Sequence, residues 1–241
     1  MSLLALHSVA KSYGALKVTD DISLAVAEGE TLGILGPNGA GKTTLFNLIS
    51  GDVRCDRGSV HFEGHDITHL KPHQRCRQGI GRSYQVPQPF AHMTVFENLV
   101  TAACFGGGQH EREAWETALG VLRQTGLMAH ANKAAGGLTL LDRKRLELAR
   151  ALATKPRVLL LDEVAGGLSE HECAALVTLI KDVRAGGVSI VWIEHVVHAL
   201  LAAVDRLLVL HGGKFIADGD PRTVIRSPQV AEIYMGIAAD A

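Results

Sequence analysis

The sequence predicts an α/β fold: a mixed, mostly parallel sheet, with a helical lobe inserted into it. Three observations predict it. Short, fully apolar runs alternate with helical stretches, the pattern of parallel strands covered on both faces. A glycine-rich turn lies between one such strand and one such helix. Across residues 86–154 the β pattern fades and helical periodicity replaces it. In chain order, TLGILG (31–36) reads as a short buried strand, followed by a turn and a helix over 42–50 in which Leu45, Leu48 and Ile49 share a face ahead of Gly51. SVHFEG (59–64) alternates like a strand. Residues 95–104, 112–124 and 142–154 read as the helices of the inserted lobe. RVLLL (157–161), VSIVWI (188–193) and RLLVL (206–210) are further strands, separated by helices near 170–184 and 196–203. His211-Gly212-Gly213 then turns RLLVL into KFIAD as a hairpin. No linker or solenoid repeat divides the chain, so one domain is expected, with 1–85 and 155–241 as its α/β lobe and 86–154 as its helical lobe.

Composition narrows the function. The 241 residues hold 24 Lys+Arg against 25 Asp+Glu, a formal charge of −1 with 12 His neutral. That balance argues against a polyanion-binding surface, and no nucleic-acid partner is expected. Hydrophobic residues make up 47% and mean hydropathy is +0.15, enough to build a core. No stretch approaches the roughly 18–20 apolar residues of a membrane span; the best is residues 195–204. Residues 1–6 are too short an apolar run for a signal peptide, so a cytoplasmic product is expected. Cys55, Cys76, Cys104 and Cys173 form no C-x-x-C pair and read as reduced thiols. Glycine is the outlier, at 26 residues.

Some of those glycines carry chemistry. Gly36-Pro37-Asn38-Gly39-Ala40-Gly41-Lys42-Thr43 fits G-x-x-x-x-G-K-[ST] between a predicted strand and a predicted helix, the context this motif requires. Glycines let successive N–H groups face a phosphate, and the following helix adds its positive end. ATP and Mg²⁺ are therefore expected on residues 37–44, with Pro37, Asn38, Gly39, Ala40, Gly41 and Thr44 around the phosphates. Lys42 would neutralise the β- and γ-phosphates and Thr43 would ligate Mg²⁺. LLLDE (159–163) ends a buried strand in two carboxylates: Asp162 on the metal side, and Glu163 as the base that polarises an attacking water. Two other patterns are set aside. His61, His65, His69 and His73 recur every fourth residue, but Gly64 and Pro72 break any helix that would align them. Arg143-Lys144-Arg145, on a helix with Glu147, reads as a solvated face.

With these motifs the chain resembles the ATP-binding subunits of ABC transporters over essentially its whole length. The resemblance implies further roles. Tyr13, in KSYGALKVTDDISL, matches the aromatic that stacks on adenine. Gln85, in GIGRSYQ, matches the glutamine that joins the two lobes and senses Mg²⁺ and water. His195, after VSIVWIE, matches the switch histidine that contacts the γ-phosphate. The same resemblance implies a peripheral subunit on the cytoplasmic face of the membrane. Its partners would be transmembrane permease subunits, a second ATPase subunit and, indirectly, a periplasmic or extracellular binding protein. GRSYQVPQPFAHMTVFENL, RLELARALATKPRVLLLDE and the ending VAEIYMG are similar to the ATPases of branched-chain or hydrophobic amino-acid importers. The lipopolysaccharide-export ATPase is a near neighbour in length and tail.

One motif departs from the pattern. The family's L-S-G-G-Q, which closes over ATP on the partner subunit, aligns with Leu138-Thr139-Leu140-Leu141-Asp142. Thr139 and Asp142 retain an [ST]-x-x-[DE] capping box, so the helix is expected to start normally, capped by its own carboxylate. Leu140 and Leu141 add bulk where a phosphate should approach, and Asp142 adds a negative charge that repels a second one about 4 Å away by roughly 4 kcal/mol at an effective dielectric of about 20 if unrelieved. The expectation is a chain with a competent site of its own and a degenerate signature, which favours a heterodimer. A regulatory subunit with little hydrolysis is the alternative. Val164 stands where proline is usual in the family, and Gly166-Gly167-Leu168-Ser169 is a loose version of the loop that meets the partner.

Overall fold

The apolar runs become strands of one six-stranded sheet in the computed structural model, which describes residues 2–235. In chain order the elements are β1 (Ser2–Tyr13), β2 (Leu16–Ala27), β3 (Thr31–Leu35), α1 (Lys42–Ser50), β4 (Arg57–Phe62), β5 (His65–Asp66), α2 (Pro72–Arg77) and β6 (Ile80–Arg82). There follow α3 (Val95–Thr101), a π-helical turn (Ala102–Gly106), α4 (Glu111–Gln124), α5 (Leu140–Ala153) and β7 (Val158–Asp162). The chain continues through α6 (Glu170–Ala185), β8 (Ser189–Ile193), α7 (Val197–Leu201), β9 (Arg206–His211), β10 (Lys214–Gly219), α8 (Pro221–Ile225) and α9 (Pro228–Met235). The ending VAEIYMG runs past Met235, and its Gly236 lies outside the described residues.

The large sheet has the order β10-β9-β3-β8-β7-β6. Pairings from β9 to β6 are parallel, and β10 returns antiparallel. Every residue of β3, β7 and β8 is buried, as their unbroken apolar runs require. Alternate side chains feed two cores. Leu159, Leu161, Ile190, Trp192, Leu207 and Val209 pack with the helices between β6 and β7 and with α6 and α7. Leu32, Ile34, Leu160, Val191, Ile193 and Leu208 pack with Leu45, Phe46, Leu48 and Ile49 of α1. Each such side chain contributes about 1.5–3 kcal/mol by leaving water. The β9–β10 turn is tighter than expected: His211 pairs with Lys214, leaving only Gly212 and Gly213 in the loop. Their φ values of 54° and 77° are those of a type I′ turn, which suits glycine.

The second sheet is antiparallel, order β2-β1-β4-β5. SVHFEG supplies most of β4, but the sequence did not predict β1 or β2. The helical insert starts where a capping box predicts: Thr94 accepts from the Glu97 N–H at 3.1 Å while Glu97 accepts from the Thr94 N–H at 2.7 Å. Helix α3 then loosens into the π turn instead of running on to residue 104. His61, His65 and His73 fall on β4, β5 and α2, and no three potential metal ligands cluster among the described residues. Among those residues no helix is long and apolar enough to cross a membrane.

Candidate functional site: a phosphate-loop cleft

The turn between β3 and α1 is shaped by backbone crowding. A Cβ on Gly36 would lie 2.5 Å from the Leu210 carbonyl oxygen, and one on Gly41, at φ 103°, would lie 2.6 Å from that of Val18. Only glycine fits either position. Gly213, in the β9–β10 turn, faces the same Val18 carbonyl, with a 2.7 Å approach for a Cβ. Lys42 opens α1 and is 6% exposed; its Nζ donates to the carbonyls of Gly36 (2.6 Å) and Pro37 (3.0 Å). Burial lowers its pKa, and the negative charges of Glu163 and Asp162 oppose that shift. Around this turn is a cleft of about 470 Å³ lined by Tyr13, residues 38–44, Gln85 and Glu163, with Leu16 and Val18. Tyr13 is 49% exposed, so it is no core tyrosine.

Asp162 closes β7 at 3% exposure. Its pKa is raised, first by burial and further by Glu163, against the pull of Arg82 and Lys42. Glu163 follows with φ 48°, a left-handed backbone that costs a residue with a Cβ on the order of 1 kcal/mol or more. That twist turns the carboxylate toward the cleft. Its Oε2 accepts from Gln85 Nε2, and its Oε1 meets His195 Nε2 at 2.5 Å. The side chains singled out on three separate segments thus converge on one carboxylate. Thr43, Asp162 and Gln85 offer hydroxyl, carboxylate and amide oxygens, the hard donors that suit Mg²⁺.

Three site-forming residues escaped the sequence reading. Arg82, at the end of β6, donates through Nη2 to Asp162 at 3.2 Å, and through Nη1 to Asn47 (2.7 Å), Ser50 (3.0 Å) and Asp52 (3.0 Å). It lies between the Phe46 and Tyr84 rings, 5.7 and 4.8 Å from their centroids. Glu194 and Lys144 are buried, at 1% and 6% exposure. Burial raises the pKa of the first and lowers that of the second. The solvated-face reading therefore fails for Lys144 and Glu147: α5 turns both inward, where Glu147 accepts from Arg150 at 3.0 Å. Of that basic run, Arg143 is exposed and Arg145 half-buried. An i, i+3, i+6 spacing of Lys144, Glu147 and Arg150 was the available signal for a shared face.

Leu138, Thr139, Leu140, Leu141 and Asp142 stand apart from the cleft, none of them lining it. Leu138 is buried, while Leu140 is 50% exposed beside Gly167. Two expectations are corrected here. Thr139 Oγ1, not the carboxylate, caps α5, accepting from the Asp142 N–H at 3.2 Å. Asp142 instead accepts the Thr139 hydroxyl proton (2.9 Å) and lies 3.6 Å from His130 Nε2 and 3.7 Å from Arg145 Nη1. Arg145 offsets part of its charge, by about 0–1 kcal/mol for such a surface pair, so the full 4 Å repulsion does not apply.

The profile of the ABC transporter family matches residues 19–166. The lipopolysaccharide export system ATP-binding protein LptB of Acidithiobacillus ferridurans is 37% identical over 241 residues, 97% of either chain. The high-affinity branched-chain amino acid transport ATP-binding protein BraF of Pseudomonas aeruginosa is 34% identical over 251 residues, 98% of either chain. A solved ATP-binding cassette of an ABC transporter in its ADP conformation superimposes with a TM-score of 0.89 at 32% identity, covering 98% of this chain and 100% of that one. Cleft, fold and relatives agree, and the chain belongs to the ABC transporter family as an ATP-binding subunit, an ATP-hydrolysing transport ATPase.

Proposed function

We propose that this subunit drives an importer of branched-chain or other small hydrophobic amino acids or metabolites, hydrolysing ATP on its own phosphate loop. The observation that carries the hydrolytic part is the meeting of Gln85 and His195 on Glu163 at the cleft wall. Glu163 polarises the water that attacks the γ-phosphoryl group in line, Lys42 spreads the charge that develops there, and His195 contacts that phosphate. Tyr13 carries the base. Mg²⁺, held by Thr43, Asp162 and Gln85, would add electrostatic stabilisation to the β- and γ-phosphates.

Likeness to BraF and the segment from Gln85 through Thr94 support import. LptB, at 37% identity against 34% for BraF, keeps lipopolysaccharide export as a second reading. Residues 86–154 serve as the helical lobe. Beside it, a groove of about 400 Å³ lined by Tyr84, Phe105, Glu147 and Arg150 takes a cytoplasmic helix of a permease at the membrane. The leucines at 140 and 141 favour a heterodimer in which the partner supplies the intact signature. ATPase activity of the assembled complex after Glu163→Gln tests this. Turnover is expected to collapse; if it barely falls while the matching change in the partner abolishes it, the productive site is the partner's.

A further inference from the structure

The segments carrying Glu163 and His195 share one buried carboxylate. Glu194 Oε1 accepts from the Ala165 N–H at 2.5 Å, and Oε2 accepts from the N–H groups of His195 (3.0 Å) and Val196 (3.3 Å). Three such bonds from two segments fix each against the other. Lys144 Nζ also reaches this region, donating to the Glu163 carbonyl at 3.3 Å. The held peptide is the left-handed one at Glu163, a conformation that persists only where its surroundings over-determine it. Neither Lys144 nor Glu194 lines the cleft. Buried charges are a poor source of stability compared with apolar side chains of equal volume. What this pair supplies is geometry.

We propose that Lys144 and Glu194 are positioning residues: together they hold residues 163–165 and the His195 backbone in one arrangement, so that α5 supports this chain's own base. The helix that begins at Leu140, whatever its worth to a partner, therefore acts in cis. This rests on the reading of Glu163 as the group that polarises water.

The test compares Glu163→Gln, Glu194→Gln, Lys144→Met and the Lys144→Met/Glu194→Gln double variant, each as the full chain in its transporter complex. Three quantities are read: kcat and KM for ATP, affinity for a fluorescent ATP analogue, and the thermal midpoint of the subunit. Each single change at 144 or 194 is expected to lower kcat by at least about tenfold, because small displacements of a reacting group are costly. KM and analogue affinity should stay within about twofold, since neither side chain touches nucleotide. The double variant removes both buried charges and should regain the midpoint lost by Lys144→Met, while kcat stays low. If kcat returns together with the midpoint, or the single variants keep kcat within about twofold, the positioning role is overturned. If Glu163→Gln itself leaves turnover unchanged, the underlying reading falls and the proposal with it. Collapse in Glu163→Gln alone defeats only the positioning claim.

Discussion

Replacing Arg82 with Met keeps a chain of similar length between Phe46 and Tyr84 but removes every donor. The side chain of Arg82 is 7% exposed and that of Asp162 is 4% exposed, so the pair is dry on both sides. Breaking such a pair by removing one partner costs about 3–5 kcal/mol, since the remaining charge stays buried. The Asp52 contact adds little, because that carboxylate is 35% exposed and a surface pair is worth about 0–1 kcal/mol. One term acts the other way: Arg82 Nε is buried without a hydrogen-bond partner, and deleting it relieves about 1–3 kcal/mol. The net expectation, from the midpoints of those ranges, is a loss of about 2 kcal/mol, with about 4 kcal/mol as the upper bound. For a chain of this size a loss of about 2 kcal/mol lowers Tm by about 4–8 °C. Urea and thermal melts of Arg82→Met beside Asp52→Asn measure it, with Arg82→Met/Asp162→Asn as the compensating double variant. Should Arg82→Met melt within about 1 kcal/mol of Asp52→Asn, the buried pair does not hold β6, β7 and α1 together as argued.

Tyr13→Ala removes the proposed base platform and should weaken ATP binding by about 1–3 kcal/mol, roughly five- to 150-fold in Kd, while inorganic phosphate binding is untouched; titration calorimetry with both ligands separates the cases. Gly41→Ala sets a Cβ 2.6 Å from the Val18 carbonyl at φ 103° and should cost at least about 1–3 kcal/mol in a urea melt, far more than Gly120→Ala, whose Cβ meets nothing within 4 Å. Glu147 has its pKa raised by burial, against Arg150 and backbone donors. The folded chain therefore binds this proton more tightly than the unfolded chain. Stability is lost as pH rises from the ordinary carboxylate range through the raised value. Glu147→Gln does not titrate, so its stability relative to the parent should improve as pH climbs from about 4 through that window; paired melts across pH giving a flat or falling difference would count against it.

The parallel half of the fold was legible because its strands are buried on both faces: TLGIL, VLLLD and SIVWI have no polar side to confuse the pattern. The antiparallel half was not. β1 and β2 should alternate, but their pairing shifts register between Leu6 and Val9 and again between Val9 and Lys11, and Ser8 sits at φ 49°. Each irregularity resets the two-residue period, so no window of useful length carries it. The site divided along similar lines. Loop residues 36–44 and Asp162 announce themselves through chemistry that tolerates few substitutes. Arg82, Lys144 and Glu194 are charged residues whose burial depends on what three distant segments place over them, and a helix bearing Arg143, Lys144 and Arg145 looks wet until β7 is laid beneath it.

The carbonyl of Val18 is approached from one side by the phosphate loop at Gly41 and from the other by the β9–β10 turn at Gly213, while the Asp20 N–H bonds to the Gly213 carbonyl at 2.8 Å. β2 is wedged there by main chain on main chain, and its first residue, Leu16, pairs with Tyr13. With Tyr13 as the proposed base seat, the proposed function puts base and phosphate on the two jaws of a caliper joined through β2. On that proposal a ligand would be gauged by its length: free phosphate would fill one jaw, a bare nucleoside the other, and only a molecule that spans both would be gripped at its two ends.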